Sequence, residues 1–182
     1  METIRYCKQI YPSPLGDISI VTSQKTLHGL WFWDQRHKEA KVDELQMVRT
    51  PLHEQVFHWL DAYFSGNFLT LDIELAHSGT PFQEAVWAQL REIPLGKTKT
   101  YKEIGNQLGC SSSQAIGNAV SRNPFSILVP CHRVIGTNGS LKGYAGGLAR
   151  KNWLLQHEGY FEKEKICIPS TNIQTVQPVK RP

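Results

Sequence analysis

The residues best suited to covalent chemistry in this chain are Cys131 and the histidine that follows it, His132. A cysteine attacks as the thiolate, and a nearby imidazole can accept the thiol proton. In a regular strand the two side chains would point to opposite faces, so they can act together only across a turn or through a bridging water. Pro130, directly before them, favours such irregular backbone. A buried structural cysteine beside an unrelated histidine is the commoner arrangement for two such residues, and the dipeptide alone leaves both interpretations open.

A carboxylate at the end of the last helical pattern is a candidate partner for this histidine. Glu158 follows His157 at the point where that helix is expected to end. Nucleophile–base pairs in enzymes are commonly held by a third group that orients the base. A glutamate is mildly disfavoured at a helix C-terminus by the helix dipole. Glu158 is therefore either an orienting carboxylate or one of the many solvated glutamates.

The sequence does not predict a metal site. Zinc sites use four ligands, commonly as closely spaced pairs of Cys or His, and the cysteines of this chain never occur at such spacing. They are Cys7, Cys110, Cys131 and Cys167. Cys7, His28 and His77 could meet in the folded chain, but no fourth ligand is apparent near them.

Composition predicts a globular, intracellular protein with reduced cysteines. The chain has 182 residues, 40% of them apolar, which is enough for one large domain or two small ones. Four cysteines are too few for a secreted disulfide scaffold, and the N-terminus lacks the apolar stretch of a signal peptide. No apolar run approaches the roughly 20 residues that span a bilayer. We therefore expect no membrane partner and a cytoplasmic location, or a nuclear one in a eukaryote.

Positive charge is concentrated in one block of the second half of the chain. Residues 95–152 contain eight basic side chains and a single acidic one, Glu103, although the net charge of the whole chain is only +4. The basic residues of this block are Lys97, Lys99, Lys102, Arg122, Arg133, Lys142, Arg150 and Lys151. Such a block attracts polyanions, including nucleic acid, although a solvated face gives the same count.

The pattern of the first part of the chain predicts an α/β domain. Residues 17–22 alternate in polarity and 27–33 form an apolar, aromatic run, and both patterns are typical of strands. Thr50-Pro51 is a helix start signal, and 68–76 is expected to be extended. We predict a small antiparallel sheet with helices, forming an N-terminal supporting domain over 1–76.

The pattern over 77–161 predicts a mostly α-helical C-terminal domain. Three capping boxes mark helix starts, at Thr80, Thr100 and Ser111. The third pairs Ser111 with Gln114. The second and third helices, joined around Gly109, match a helix-turn-helix, which is a weak signal strengthened by its place in the basic block. A last helix is expected over 148–157, and 162–182 has the composition of a polar tail.

One segment carries a resemblance to a known family. Residues 123–135, Asn-Pro-Phe-Ser-Ile-Leu-Val-Pro-Cys-His-Arg-Val-Ile, closely resemble the active-site signature of the O6-alkylguanine-DNA alkyltransferases, also called methylated-DNA–protein-cysteine methyltransferases. The likeness continues through Gly-Tyr-Ala-Gly-Gly at 143–147 and Trp-Leu-Leu-Gln-His-Glu-Gly at 153–159, and it reaches back to Thr80-Pro81-Phe82. It is strong over about 80 residues and looser before them. A block this specific favours a reactive Cys131 over a structural one.

The resemblance implies a DNA-repair methyltransferase that acts once and needs no cofactor. The family transfers an alkyl group irreversibly from O6 of guanine in double-stranded DNA to its own cysteine, after the base is flipped out through the minor groove. The implied fold has a winged helix-turn-helix-like DNA-binding motif in the C-terminal domain. We expect a monomer, with the range of alkyl groups and activity on O4-alkylthymine left open.

Matched positions give roles to the site residues. By resemblance, Cys131 is the acceptor, His132 is the base that reaches the thiol through a water, and Glu158 orients His132. Asn123 holds the local turn, and Tyr101 donates a proton to guanine N3 as the base leaves. The residues matched to the guanine pocket, besides the backbone of the acceptor cysteine, are Val134, Tyr144 and Ala145.

The expected DNA contacts contain one departure from the family. The family usually places an arginine near the start of the second helix of the motif, where it replaces the flipped base in the stack, and this chain has Gln114 there. No arginine occurs between Lys102 and Ser121, so Arg122 is the nearest candidate to compensate. The basic Lys102 can meet phosphates. The small residues expected to permit close approach to the groove are Ala115, Gly117 and Ala119.

Two other classes of protein compete with this interpretation. A winged-helix regulator or a non-catalytic alkyltransferase-like protein would bind DNA without reacting, but such relatives lack the acceptor cysteine, and Cys131 is present. A Cys-His hydrolase would need an oxyanion hole, and nothing else in the sequence indicates one. A zinc site found in some relatives is not expected, because its matched positions include Ser23.

Overall fold

The computed structural model describes residues 5–35 and 45–160. Its elements, in chain order, are strands β1 (Tyr6–Ser13), β2 (Gly16–Thr22), β3 (Thr26–Phe32) and β4 (Leu45–Gln46), helix α1 (Pro51–Phe64), strand β5 (Glu74–Leu75), helix α2 (Pro81–Arg91), strand β6 (Lys99–Thr100), helices α3 (Tyr101–Gln107) and α4 (Ser113–Ser121), a 3₁₀ turn (Cys131–Arg133), strand β7 (Val134–Ile135) and helix α5 (Leu148–His157). The predicted tail, 162–182, lies outside the described residues.

The N-terminal part is a five-stranded sheet with one long helix. The order is β4-β1-β2-β3-β5, and β1, β2 and β3 pair antiparallel. The two-residue edge strands β4 and β5 pair parallel, because each arrives on a connection from elsewhere in the chain rather than through a hairpin. The prediction of an antiparallel sheet therefore holds for the three central strands and is wrong for the edges. Helix α1 is the one helix among the described residues of 1–76.

The C-terminal part is mainly helical, as predicted. Thr80 and Thr100 close the capping boxes expected of them, with Gln83 and Glu103 as the reciprocal partners. The third box is wrong by one residue: the N-cap of α4 is Ser112, whose hydroxyl accepts from the Ala115 N–H at 3.2 Å. Gln114 therefore lies in the first turn of α4 without a capping role.

One hydrophobic core runs through both parts. It joins the inward side chains of the sheet and α1 to those of the C-terminal helices in a single cluster of buried residues. Its fully buried members include Ile18, Leu30 and Leu60 from the N-terminal part and Leu90, Ile116 and Leu154 from the C-terminal part. Burial of this shared apolar surface holds the two parts in one arrangement. Within the described ranges, no helix is long and apolar enough to cross a membrane.

Candidate active site

The segment that leads to Cys131 is fixed to the N-terminal sheet. The Leu30 N–H donates to the Pro124 carbonyl at 2.8 Å, and the Ser126 N–H donates back to the Leu30 carbonyl at 2.7 Å. Ile127 then adopts a φ of +70°, a conformation that β-branched residues rarely take and that costs about 1–3 kcal/mol. The chain then enters the 3₁₀ turn Cys131–Arg133. This turn supplies the irregular backbone that the Cys-His pair was expected to need.

Cys131 is buried and receives a hydrogen bond from an amide side chain. Cys131 is only 3% exposed, and the Asn123 Nδ2 donates to its Sγ at 3.1 Å. The same nitrogen donates to the Val129 carbonyl at 2.8 Å, while the Asn123 Oδ1 accepts from the Phe125 N–H at 3.0 Å. Asn123 thus ties both ends of the 123–131 loop together and contacts the sulfur directly.

His132 is held by Glu158 in a fixed orientation. Its Nε2 lies 2.8 Å from the Glu158 Oε1, and both side chains are completely buried. An ionised carboxylate can only accept, so Nε2 carries the proton and Nδ1 carries the free lone pair. That Nδ1 has no hydrogen-bond partner among the described residues. The structure therefore brings together His132 and Glu158, the two residues that the resemblance matches to the base and its orienting carboxylate.

Glu158 accepts three further hydrogen bonds from two residues that were not predicted for the site. The Arg133 Nε donates to Oε2 at 2.7 Å and its Nη2 to Oε1 at 3.0 Å, a bidentate pairing. A third guanidinium nitrogen, Nη1, donates to the Ile93 carbonyl at 2.6 Å. The hydroxyl of Tyr63, from α1, donates to Oε1 at 2.7 Å. The carboxylate is thereby fixed from both parts of the molecule.

Burial and charge set the protonation states of these groups. Burial raises the pKa of the Cys131 thiol, although the Asn123 amide and the positive charge of Lys151 act in the other direction. Burial also lowers the pKa of His132, against the opposing effect of Glu158. The pKa of Glu158 lies far below its usual range, because its bonds to His132 and Arg133 outweigh burial. The resting site is a thiol, a neutral imidazole and a carboxylate.

A pocket of about 410 Å³ opens between the α3–α4 helix pair and the glycine-rich loop. Its lining residues are Tyr101, Ser113, Gln114, Gly117, Asn118, Ser121, Lys142, Gly143, Tyr144 and Ala145. The Tyr101 hydroxyl donates to the carbonyls of Lys142 and Gly143 at 3.0 and 3.2 Å. Burial, with a contribution from Cys131, raises the pKa of Tyr101 to about 12, so the phenol keeps its proton.

Two of the three residues matched to the guanine pocket line this cavity. Tyr144 and Ala145 contribute to its wall. Val134 is fully buried in β7, and its carbonyl accepts from the Lys151 ammonium rather than facing the pocket. Gly143 has a φ of +60°, and a Cβ there would lie 2.7 Å from the Tyr101 hydroxyl. Glycine is therefore required for the loop to approach Tyr101 this closely.

Lys151 was counted as a surface charge and is instead a buried structural cation. Its ammonium donates to the carbonyls of Val134 and Lys142, the latter at 2.6 Å, and none of the residue is exposed. Burial lowers its pKa to about 8. It holds the glycine-rich loop against the active-site turn. It is also the cation that favours ionisation of the Cys131 thiol.

The residues predicted to contact DNA all lie on α3 and α4 or at the end of α4, but they are spread along these helices. Gln114 is exposed on the first turn of α4 and lines the pocket. Ala115 is half-buried one residue further on, and Lys102 is exposed on α3. Arg122 is the C-cap of α4, eight positions from Gln114 and about 12 Å along the axis.

One small residue of α4 does not face the groove as expected. Ala119 is only 2% exposed, and its carbonyl accepts from the Trp87 indole at 2.8 Å, so it packs inward. Gly117 does line the pocket. Cys7, His28 and His77 do not assemble: across the part of the chain that the structure describes, no group of three or more His, Cys, Asp or Glu could hold a metal ion.

Three site residues were missed because their roles depend on tertiary contacts. Tyr63 reaches the site from a helix 95 positions away, a contact with no local signal. Arg133 and Lys151 were visible only as members of the basic block. A sequence signal for Arg133 was its place directly after Cys131-His132, where a long side chain can return to the same carboxylate as the histidine.

Both parts of the chain match domains of one family. Residues 6–77 match the model described as "6-O-methylguanine DNA methyltransferase, ribonuclease-like domain", and residues 81–160 match "6-O-methylguanine DNA methyltransferase, DNA binding domain". A methylated-DNA–protein-cysteine methyltransferase of Methanosarcina acetivorans is 42% identical over 151 residues, covering 82% of this chain and 96% of the relative. One of Shigella flexneri is 52% identical over 168 residues, covering 86% and 98%.

Solved structures agree with these matches. The O6-methylguanine methyltransferase OGT of Mycobacterium tuberculosis, in a structure with DNA, superposes with a TM-score of 0.75 at 36% identity, covering 85% of this chain and 92% of that one. An O6-methylguanine-DNA methyltransferase of Pyrococcus kodakaraensis gives a TM-score of 0.60 at 26% identity, covering 85% and 99%. The fold and the site define a two-part alkyltransferase. The chain belongs to the methylated-DNA–protein-cysteine methyltransferase family, which confirms the resemblance carried by 123–135.

Proposed function

We propose that this chain repairs double-stranded DNA by transferring an alkyl group irreversibly from O6 of guanine to the sulfur of its own Cys131. The observation that carries the proposal is the buried constellation of Cys131, bonded by Asn123, with His132 held against Glu158 at 2.8 Å. A buried thiol beside an oriented neutral imidazole is suited to nucleophilic attack. The names of the relatives support the same reaction.

The reaction begins with removal of the thiol proton. His132 takes that proton at Nδ1, directly or through a bridging water, and becomes an imidazolium that the anionic Glu158 stabilises. The thiolate attacks the alkyl carbon, a new C–S bond forms, and the C–O6 bond breaks with its electron pair going to the guanine. None of these reaction steps regenerates the thiol, so each protein molecule reacts once.

The leaving guanine must be stabilised as its negative charge develops. Tyr101 keeps its proton in the resting site because its pKa is raised to about 12, so its phenol is available to donate to guanine N3. Positioned general acids contribute about 10²–10⁴-fold to reaction rates. In this role the Tyr101 hydroxyl leaves the carbonyls of Lys142 and Gly143 and turns to the base.

The guanine occupies the pocket between α4 and the glycine-rich loop. A volume of about 410 Å³ accommodates one flipped base, with Tyr144 and Ala145 at its wall. Helix α4, presented by the α3–α4 helix-turn-helix, lies against the minor groove of the duplex, and the parallel pair β6–β7 serves as the wing. Gln114 and Gly117 lie nearest the displaced base, and Lys102 meets phosphates. The protein acts as a monomer, since the site is complete within one chain.

The test is the mass and the stoichiometry of the reacted protein. Incubation with duplex DNA that carries one O6-methylguanine should add one methyl group per protein molecule, and excess DNA should produce no further turnover. The unmodified duplex is the control. Unchanged protein mass would favour a non-catalytic DNA-binding protein, and repeated turnover would favour a hydrolase, so either result would refute the proposal.

A further inference from the structure

One side chain of the N-terminal part, that of Tyr63, donates a hydrogen bond to a buried carboxylate of the C-terminal part. Tyr63, on α1, places its hydroxyl 2.7 Å from the Glu158 Oε1, across 95 positions of the sequence. Tyr63 is 5% exposed and Glu158 is 4% exposed, so water does not compete for this hydrogen bond. Glu158 links Tyr63 to His132, because the same Oε1 also accepts a hydrogen bond from the His132 Nε2.

The phenol ring cannot easily leave this position. It packs in an aromatic cluster, with ring-centroid distances of 5.8 Å to Trp59, 5.4 Å to Phe64, 5.5 Å to Phe68 and 5.3 Å to His157. The His157 Nε2 also lies 2.6 Å from the Tyr63 carbonyl. Aromatic packing between α1 and the end of α5 therefore fixes the orientation of the Tyr63 hydroxyl.

The direction of the hydrogen bond is fixed by the charges around it. Burial, with the adjacent Glu158, raises the pKa of Tyr63 far above its usual range, so the phenol stays protonated. Glu158 stays ionised, so the phenol donates and the carboxylate accepts. Tyr63, from the N-terminal part, and Arg133, from the C-terminal part, both donate to Oε1, the oxygen that also accepts from the His132 Nε2.

We propose that Tyr63 is a positioning residue for alkyl transfer: by holding the Glu158 carboxylate in place, it keeps the His132 Nε2–H engaged and the basic Nδ1 available to the Cys131 thiol. The N-terminal part thus takes part in the reaction through one hydroxyl, in addition to supporting the fold. This inference rests on the proposed function, because it concerns the rate of the same transfer.

The chain offers a matched control for the loss of this hydroxyl. Tyr11, on β1, donates to the Asp61 Oδ1 at 2.6 Å, a phenol–carboxylate bond that also involves α1. In the part of the chain that the structure describes, the side chains hydrogen-bonded to the Glu158 carboxylate are those of Tyr63, His132 and Arg133, and the Tyr11–Asp61 pair is separate from them. Tyr11→Phe therefore removes a phenol–carboxylate hydrogen bond between β1 and α1, and it leaves the hydrogen bonds of the site in place.

The experiment compares single-turnover kinetics of wild type, Tyr63→Phe and Tyr11→Phe on duplex DNA carrying O6-methylguanine, with protein in excess. Tyr63→Phe keeps the ring and its packing. We expect its maximal rate constant to fall about ten-fold, in the range seen for lost partners of an orienting group, with the half-saturating protein concentration unchanged. Tyr11→Phe should react at the wild-type rate.

Each outcome decides between a positioning and a structural role. An unchanged maximal rate in Tyr63→Phe, or an equal loss in Tyr11→Phe, would overturn the inference while leaving the proposed function intact. Absence of reaction in wild type would instead refute the proposed function.

A second measurement needs no variant and does not depend on activity. Side-chain ¹⁵N–¹H spectra of wild-type protein should show His132 protonated at Nε2 and bare at Nδ1, with the Tyr63 hydroxyl proton close to the Nε2 proton. Protonation at Nδ1, or no proximity between the two protons, would overturn the inference.

Discussion

The charge states of four side chains fit the order in which protons must move. The Cys131 thiol is neutral at rest because burial raises its pKa, and His132 is a free base because burial lowers its pKa. Glu158 is already anionic, so the imidazolium finds a counterion as soon as it forms. Tyr101 keeps its phenol proton, which in the proposed reaction passes to the leaving base. In the proposed reaction the thiol is therefore still protonated when the alkylated base enters the pocket.

Glu158 should link the stability of the fold to pH. Its pKa in the folded protein lies below the unfolded value of 4.5, so its ionised form contributes stability above pH 4.5 that is lost as the pH falls towards the folded pKa. We expect Glu158→Gln to lower the free energy of unfolding by about 2–3 kcal/mol at neutral pH, the scale of a hydrogen bond to a charged group.

Urea unfolding of both proteins at a series of pH values checks this expectation. The difference between wild type and Glu158→Gln should shrink as the pH falls below 4.5. A difference that stays constant with pH would show that the carboxylate charge does not stabilise the fold.

Gln114 should limit base flipping rather than chemistry. Glutamine is shorter than arginine, cannot stack as a planar cation and lacks the charge that the minor groove attracts. We predict that Gln114→Arg raises the single-turnover rate on duplex O6-methylguanine and leaves the rate on free O6-alkylguanine unchanged.

The two substrates must be compared at one salt concentration, since phosphate contacts are salt-dependent. Equal rates for the variant and wild type on duplex DNA would mean that another side chain fills the stack. Arg122→Ala then becomes the informative variant, with a loss confined to duplex DNA.

At the scale of elements, local sequence signals predicted the helices but not the pairing of the edge strands. Capping hydroxyls at Thr80 and Thr100 act over three residues, so the sequence contains the whole interaction. The parallel edge strands β4 and β5 depend on partners 39 and 48 positions away, and no local pattern encodes such pairs. The same reason explains the missed Tyr63. Three successive serines, 111–113, are equally suited to cap a helix, so residue type alone does not distinguish Ser112 from Ser111.

Two glycines, one in α3 and one in α4, provide a matched pair of substitutions. A Cβ at Gly105, in α3, would lie 2.5 Å from the backbone carbonyl of Cys110, which closes the turn. A Cβ at Gly117, in α4, would have its nearest neighbour at 3.9 Å. We expect Gly105→Ala to lower the free energy of unfolding by about 1–3 kcal/mol through overpacking. Gly117→Ala should raise it by up to about 1 kcal/mol through helix propensity.

Chemical denaturation of the two variants measures both effects. Equal stability of Gly105→Ala and Gly117→Ala would contradict the close packing of the Cys110 carbonyl against Gly105.

At the scale of the whole molecule, the two parts are joined at the site itself. The segment leading to Cys131 pairs with Leu30 of the sheet, and Tyr63 bonds to Glu158. Away from the site, Arg150 donates to the Leu15 carbonyl at 2.8 Å and to Asp34 at 2.7 Å. We therefore expect a modification of the Cys131 sulfur to disturb both the contacts between the two parts and the packing of the shared core.

Alkylation should destabilise the folded protein. The added group enters a packed environment, because Cys131 is 3% exposed and belongs to the main core cluster. Overpacking costs about 1–3 kcal/mol, and S-alkylation also removes the thiol that Asn123 and Lys151 favour in its ionised form. Melting curves before and after one round of reaction should show a lower midpoint for the alkylated protein. An equal or higher midpoint would contradict the prediction.

The position of the transferred group tests the central claim most directly. Protein that has reacted with duplex DNA carrying isotopically labelled O6-methylguanine is digested and its peptides are mapped, with Cys131→Ser treated in parallel. The account predicts one labelled methyl group, on Cys131, and no label in the variant. Label on Cys7, Cys110 or Cys167, or transfer that survives Cys131→Ser, would contradict it.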